Sequence, residues 1–190
     1  SSAAAGEFTL LFNGVELDRY RGGEPWPTDG PTIFFCGRHE PRKGLAVLLE
    51  AMAGLPGDVR LWVGSDGPET AALRAHWAGD PRVEWLGRLS DEEKVARLRG
   101  ADVFCAPSLR GESFGVVLIE AMAAETPIVA SELPGYANVA RAGLDAELVP
   151  PGDPRALSAA LSRVLADTEL ARRLVASGLD RAEEFSMDRL

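Results

Sequence analysis

Apolar residues come along this chain in short continuous runs. Each run is followed by a polar loop and then by a stretch in which apolar positions recur every three or four residues. The runs Thr32–Cys36, Val59–Val63, Arg82–Leu86, Val103–Ala106, Pro127–Ala130 and Glu147–Val149 predict six strands. Helical periodicity covers Leu45–Ala53, Glu69–Trp77, a segment opened by Ser90, a segment after Pro107, Tyr136–Arg141, Ala156–Leu165 and Leu170–Glu184. Ser90 and Glu93 form a capping-box pattern, and Asp153 with Pro154 marks another helix start. Runs such as TIFFC do not alternate, as expected of strands buried on both faces of a parallel sheet. Strand and helix alternate throughout, so the fold class is α/β: a doubly wound, parallel, six-stranded, Rossmann-like sheet. Upstream, the short run Leu10–Phe12 ends at Asn13-Gly14, and residues 18–31, rich in Gly, Pro and charge, read as a loop.

In the common strand order 3-2-1-4-5-6, the loops after strands one and four diverge and open a crevice at the C-terminal sheet edge. Those two loops carry most of the chemistry. The first, GRHEPRKG at Gly37–Gly44, supplies Arg38 and Lys43, cations suited to a diphosphate. The second leads into PSLRGESFGVVLIEAMAA at Pro107–Ala124. There Glu112 lies in the loop and Glu120 inside the helix, and Ser113, Phe114, Gly115 and Val116 should form the first turn. First-turn amides lack intrahelical partners and suit an anion. Carboxylates suit sugar hydroxyls, which donate to them. Phosphate in the middle with polyols on either side describes a nucleotide sugar. Taken singly, each of these charges reads as a solvated surface group. Their convergence on one crevice edge is what favours a site. The loop Gly87-Arg88-Leu89 is expected further along the same edge, in a position to face a base.

The 190 residues suffice for one domain, and 46% hydrophobic with 26% charged residues is ordinary for a soluble globular chain. A net charge of −9 without a Lys/Arg run argues against nucleic acid. No apolar stretch approaches the roughly 20 residues of a membrane span. No signal peptide is visible, and the two cysteines form no disulfide framework, so a cytoplasmic setting is expected. Cys36 and Cys105 end neighbouring strands and read as small core residues, with a close thiol pair as the alternative. His39 and His76 are isolated, which speaks against metal or acid/base roles, and Trp26, Trp62, Trp77 and Trp85 read as packing. Neither GxGxxG nor GxxxxGK[ST] occurs.

At these residues the sequence resembles the retaining glycosyltransferases of family 4, and looks like the C-terminal, donor-binding half of their GT-B fold. The matching pieces are NGVEL at Asn13–Leu17, GRHEPRKG, VEWLGRL at Val83–Leu89, ADVFCAPS at Ala101–Ser108 and, most specific, the E-x7-E motif GESFGVVLIEAMAA at Gly111–Ala124. EPRKG, the cysteine of FCAPS and the E-x7-E segment look most like actinobacterial phosphatidylinositol α-mannosyltransferases, which use GDP-mannose. The resemblance implies that Arg38 and Lys43, beside Gly37, contact the donor diphosphate. Glu112, with the amides of Phe114 and Gly115, would hold the hexose, with Ser113 and Val116 adjoining. Glu120 would hold the ribose, and Arg88 and Leu89 would border the base. Arg38, Lys43 and Glu112 form the implied catalytic set, without Glu112 acting as nucleophile.

The resemblance further implies no permanently bound cofactor and no metal site, with a nucleotide sugar as donor: GDP-mannose favoured, a UDP-sugar the alternative. Residues 1–30 would be a lead-in and 31–190 the nucleotide-sugar-binding domain. The N-terminal acceptor domain would precede residue 1, so this chain alone would bind donor without turnover. The acceptor would be a phosphatidylinositol-type membrane lipid met through that domain, at the inner face of the membrane. Glu125 departs from the pattern, standing where a helix end favours Gly; so do Asn138 and Ala146, where many members have Glu and Gly. Two other classes stand beside this one: a non-catalytic nucleotide-sugar-binding module, and a sugar-nucleotide epimerase of the same fold, for which no acid/base set is found.

Overall fold

The computed structural model describes residues 14–186; the run Leu10–Phe12 lies outside the described residues. The elements are α1 (Gly14–Arg21), β1 (Thr32–Cys36), α2 (Leu45–Ala51), β2 (Arg60–Gly64), α3 (Thr70–His76), β3 (Val83–Gly87), α4 (Asp91–Gly100), β4 (Val103–Ala106), α5 (Val116–Ala123), β5 (Ile128–Ser131), α6 (Pro134–Ala137), β6 (Glu147–Val149), α7 (Pro154–Ala166) and α8 (Thr168–Glu184). The strands form one parallel sheet in the order β3-β2-β1-β4-β5-β6. This is the doubly wound order expected, with β1 and β4 adjacent at its switch point.

The central strands are apolar on both faces because both faces are covered. Phe34 and Phe104 enter one core layer with α4 and α5, whereas Ile33, Phe35, Val103 and Cys105 enter the other with α2 and α7. Register decides the fate of the cysteines. Phe34 pairs with Phe104, so Cys36 falls beside Ala106 and Cys105 beside Phe35. Side chains alternate along a strand, which sends the two thiols to opposite faces of the sheet. Both are free, and a close pair is excluded.

Ser90 caps α4 by accepting from the Glu93 amide, and Asp153 caps α7 from the Ala156 amide, with Pro154 in the first turn. Asp167, not foreseen, caps α8 from the Leu170 amide and moves its start back to Thr168. Each cap is worth about 1 kcal/mol.

Three expectations are corrected. The stretch 18–31 is not a loop throughout, because α1 runs to Arg21 and buries Leu17 and Tyr20 against α5. Those two residues are one helical turn apart, and they suffice to dock a helix otherwise polar at 18, 19 and 21. Ser113–Val116 do not form a first turn. Gly115 adopts φ 76° and ψ 39° as the N-cap, so α5 starts at Val116. The helix expected over Tyr136–Arg141 lies earlier, at Pro134–Ala137, where the proline ring presets the first φ.

Loops at the C-terminal sheet edge are pinned by buried polar contacts. His39 is fully buried; its Nε2 lies 3.0 Å from the Gly64 carbonyl and its Nδ1 2.7 Å from the Thr70 hydroxyl. A carbonyl only accepts, so Nε2 carries a proton; in the neutral ring Nδ1 then accepts from the Thr70 hydroxyl, which also lies 3.0 Å from the Gly67 carbonyl. The histidine thus ties the loop after β1 to the loop after β2.

Two predictions follow from these positions. Glu125 holds φ 60° at the end of α5, where its amide bonds the Met122 carbonyl and the next amide bonds Ala121. This is a Schellman close on a side chain that disfavours it. Its contact with Arg99, at 3.9 Å, is half exposed and adds little. Glu125→Gly is expected to raise unfolding stability by up to about 1 kcal/mol in urea denaturation; a loss would contradict the strain.

Burial, outweighing the Gly64 bond and nearby carboxylates, pushes the His39 pKa below its ordinary value. The unfolded chain therefore takes up this proton first as pH falls. The stability due to neutral His39 is complete above about pH 6.5 and declines below it. Melting curves across that window should show a fall in wild type that His39→Gln lacks; parallel curves would count against it.

Candidate functional site

The site begins with a backbone contact. Gly44 has φ 75° and lies so close to Pro107 that a Cβ there would overlap the Pro107 carbonyl. Only glycine meets both conditions. Nearby, the Leu109 amide donates to the Arg42 carbonyl at 2.7 Å. The loops after β1 and β4 are thereby locked together. A 3-10 turn at Pro41–Lys43 presents Arg42 and Lys43 to the segment 111–116. Gly111, at φ 79°, lets the Arg42 guanidinium approach, and its carbonyl accepts from Arg42 at 3.4 Å.

Between these loops and α5 lies a cleft of about 440 Å³, bordered by Cys36, Arg42, Lys43, Lys94 and the span from Gly111 to Glu120. Each carboxylate in it carries a lysine. Glu112 Oε1 accepts from Lys43 Nζ at 2.7 Å and from Ser108 Oγ at 2.9 Å, with Arg42 at 3.6 Å. Glu120 Oε2 accepts from Lys94 Nζ at 3.0 Å and from the Tyr20 hydroxyl. On each glutamate the donors gather on one oxygen, and the other receives none from the described residues. Half of each carboxylate is left to accept hydroxyls. Burial first, and then the Glu120 charge, push the Tyr20 pKa up and keep it a donor. Burial also raises the Cys36 thiol, against the pull of Lys94.

Of the residues singled out from the sequence, the cleft brings together Lys43, Glu112, Ser113, Phe114, Gly115, Val116 and Glu120. Gly37 borders an adjoining hollow that shares Lys43. Arg38 turns to Glu40 at 3.5 Å, and Arg88, largely exposed, pairs with Asp66 at 3.3 Å; Leu89 packs on the core. None of these three borders the cleft. Phe114 is braced edge-on by Phe185 at 5.7 Å, at the end of α8. Glu120 is not an exposed helix residue, as it would be taken singly. It is buried, because α1 covers it and supplies Tyr20.

Arg42, Lys94, Tyr20, Ser108 and Tyr136 are site residues that sequence reasoning missed. One signal was available for Lys94. Among twenty basic side chains only Lys43 and Lys94 are lysines. Each sits on one cleft carboxylate. The Trp residues serve packing: Trp26 and Trp62 sandwich Arg97 at 3.8 and 4.5 Å, and Trp85 meets His39 edge-on.

A family model for glycosyl transferases group 1 matches residues 17–181. The phosphatidyl-myo-inositol mannosyltransferase of Mycobacterium leprae is 42% identical over 181 residues, covering 91% of this chain and 48% of that protein. The chain spans about half the length of the curated relatives it matches. Among solved structures, sucrose-phosphate synthase from Thermosynechococcus elongatus is similar with TM-score 0.78 and 29% identity, over 96% of this chain and 47% of that one. The C-terminal domain of a glycosyl transferase group 1 family protein from Francisella tularensis shares the fold at TM-score 0.73 and 18% identity, over 93% and 96%. Sequence family, strand order and half-length coverage agree: the chain belongs to the group 1 glycosyl transferases, family 4, and forms the C-terminal, Rossmann-like half of their GT-B fold.

Proposed function

We propose that this chain is the donor-binding half of a retaining mannosyltransferase that takes GDP-mannose and serves a phosphatidylinositol-type lipid acceptor. The observation that carries the reading is the cleft itself: two carboxylates, each with one oxygen open, flank a lysine and a helix start. Glu120 takes the ribose, Glu112 the hexose and Lys43 the diphosphate. The identity of the sugar and of the acceptor rests on the mannosyltransferase relatives. The acceptor is bound by the other half of the full-length protein, at the inner face of the membrane. Among the described residues no helix is long and apolar enough to cross a membrane.

Transfer with retention passes through an oxocarbenium-like state while charge grows on the departing diphosphate. Lys43 and the first amides of α5 are placed to meet that charge. A lysine suits this task, because its ammonium on a flexible stem can leave Glu112 for a phosphate. Glu112 orients the sugar by accepting hydrogen bonds from its hydroxyls and forms no covalent bond to it.

Calorimetric titration tests the assignment. GDP should bind, and more tightly than UDP. Lys43→Ala should weaken GDP and GDP-mannose by about 1.5–3 kcal/mol. Glu112→Ala should weaken GDP-mannose roughly 10- to 150-fold and leave GDP unchanged or tighter, since Lys43 is released. Glu120→Gln, chosen because Ala would leave Lys94 and Tyr20 unpaired, should weaken both ligands alike, by roughly tenfold. Equal losses of both ligands in Glu112→Ala would refute the division of roles. Failure of every nucleoside diphosphate to bind would sink the donor reading.

A second test concerns turnover. Proximity cannot act without a bound acceptor. The 190-residue chain is expected to transfer no mannose to phosphatidylinositol, whereas the chain joined to an acceptor half should. Transfer by the 190-residue chain would overturn the two-half scheme.

A further inference from the structure

Lys43 is asked to do two things. It holds Glu112 at 2.7 Å, and in the proposed donor complex it meets the diphosphate. Glu112 would lose its anchor as the ligand arrives unless another group keeps it in place. The structure supplies one. Ser108, buried just beyond β4, reaches Glu112 Oε1 at 2.9 Å and lies 3.1 Å from the Tyr136 hydroxyl. A serine has one proton, and an ionised carboxylate can only accept. The Ser108 proton is therefore committed to Glu112, and Tyr136 must donate to Ser108. Burial, the largest influence on Tyr136, pushes its pKa up, so the hydroxyl keeps its proton.

The chain of bonds runs one way, from Tyr136 through Ser108 to Glu112, and each bond polarises the next. Tyr136 is itself fixed. Its ring lies against Gly115, where a Cβ would come within 3.1 Å of the ring edge. The preceding Gly135 presses on the Glu112 backbone so closely that a Cβ would overlap its carbonyl. The start of α6 thus braces Glu112 at both backbone and side chain.

We propose that Tyr136 and Ser108 are positioning residues for sugar recognition: they hold Glu112 by Oε1, independently of Lys43, so that Oε2 stays aimed at the donor hexose while Lys43 moves to the diphosphate. The inference rests on the donor reading above. It adds that the affinity for the sugar, as distinct from the nucleotide, depends on a hydroxyl that touches neither.

The test is titration of GDP and GDP-mannose into the 190-residue chain as wild type, Tyr136→Phe, Ser108→Ala and the double variant, with UDP and UDP-glucose run in parallel. Tyr136→Phe keeps the ring and its packing. It is expected to weaken GDP-mannose roughly 2- to 12-fold and leave GDP unchanged. Ser108→Ala should cost at least as much, again for the nucleotide sugar only. Because Tyr136 acts through Ser108, adding Tyr136→Phe to Ser108→Ala should cost nothing more. Equal weakening of GDP and GDP-mannose by Tyr136→Phe would reduce the hydroxyl to a structural role and overturn the proposal. No change in either ligand, or a Tyr136→Phe penalty that persists in full without Ser108, would overturn it as well. If melting curves show Ser108→Ala to be unfolded, Tyr136→Phe alone decides. A wild-type chain that binds neither GDP nor UDP refutes the donor reading and this inference together, whereas a wild type that binds both nucleotide and sugar nucleotide isolates the failure to Tyr136 and Ser108.

Discussion

The carbonyl of Pro107 occupies the space that a side chain on residue 44 would need. That approach between two backbones is the constraint on which the site depends. Adjacent parallel strands at the switch point send their chains apart, and left alone the two loops would gape. Gly44 closes them, and the bond from the Leu109 amide to the Arg42 carbonyl fixes their offset. Only with that offset does Lys43 reach Glu112, and only then do Arg42 and Gly111 come into register. The cleft is a consequence of backbone fit, and the charges are laid over it.

Electrostatics then divides the cations by type. Arginine makes the ion pairs that look structural: Arg82 is locked on Asp80 with two bonds to its carboxylate, and Arg141 on Asp145 in the same way. These arrangements hold Asp80 and Asp145 below the usual carboxylate range, by the arginine bond at Asp80 and by Arg141 and Ser177 against burial at Asp145. The planar guanidinium fork suits such permanent pairs. In the cleft the cation hydrogen-bonded to each glutamate is a lysine, with Arg42 further from Glu112 at 3.6 Å. In a chain of net charge −9, two unpaired carboxylates would repel an anion, so local neutralisation is needed before any phosphate can approach. A lysine does this and remains able to change partners.

The strands were legible because each is a short apolar run bounded by breakers, and the switch point followed from their order. Lys43, Glu112 and Glu120 were legible because two loops at that point carried paired opposite chemistry. Other features were not. Helix α1 hides in a stretch of Gly, Pro and charge because just two of its described side chains, Leu17 and Tyr20, face inward. The left-handed Gly115 cannot be told from a helical glycine by sequence pattern. Tyr20 reaches the Glu120 carboxylate from 100 residues away, and Tyr136 reaches the Ser108 hydroxyl from 28 residues away. Only tertiary packing puts them there.

The opposed cysteines have a practical consequence. Cys105 has no exposed surface, while Cys36 is half-buried at the cleft. The intact sheet stands between them and prevents an intramolecular disulfide. A thiol reagent added to the native protein therefore meets one sulfhydryl at most, and the second becomes titratable only when β4 is uncovered. The thiols that react beyond the native value thus count the opened molecules.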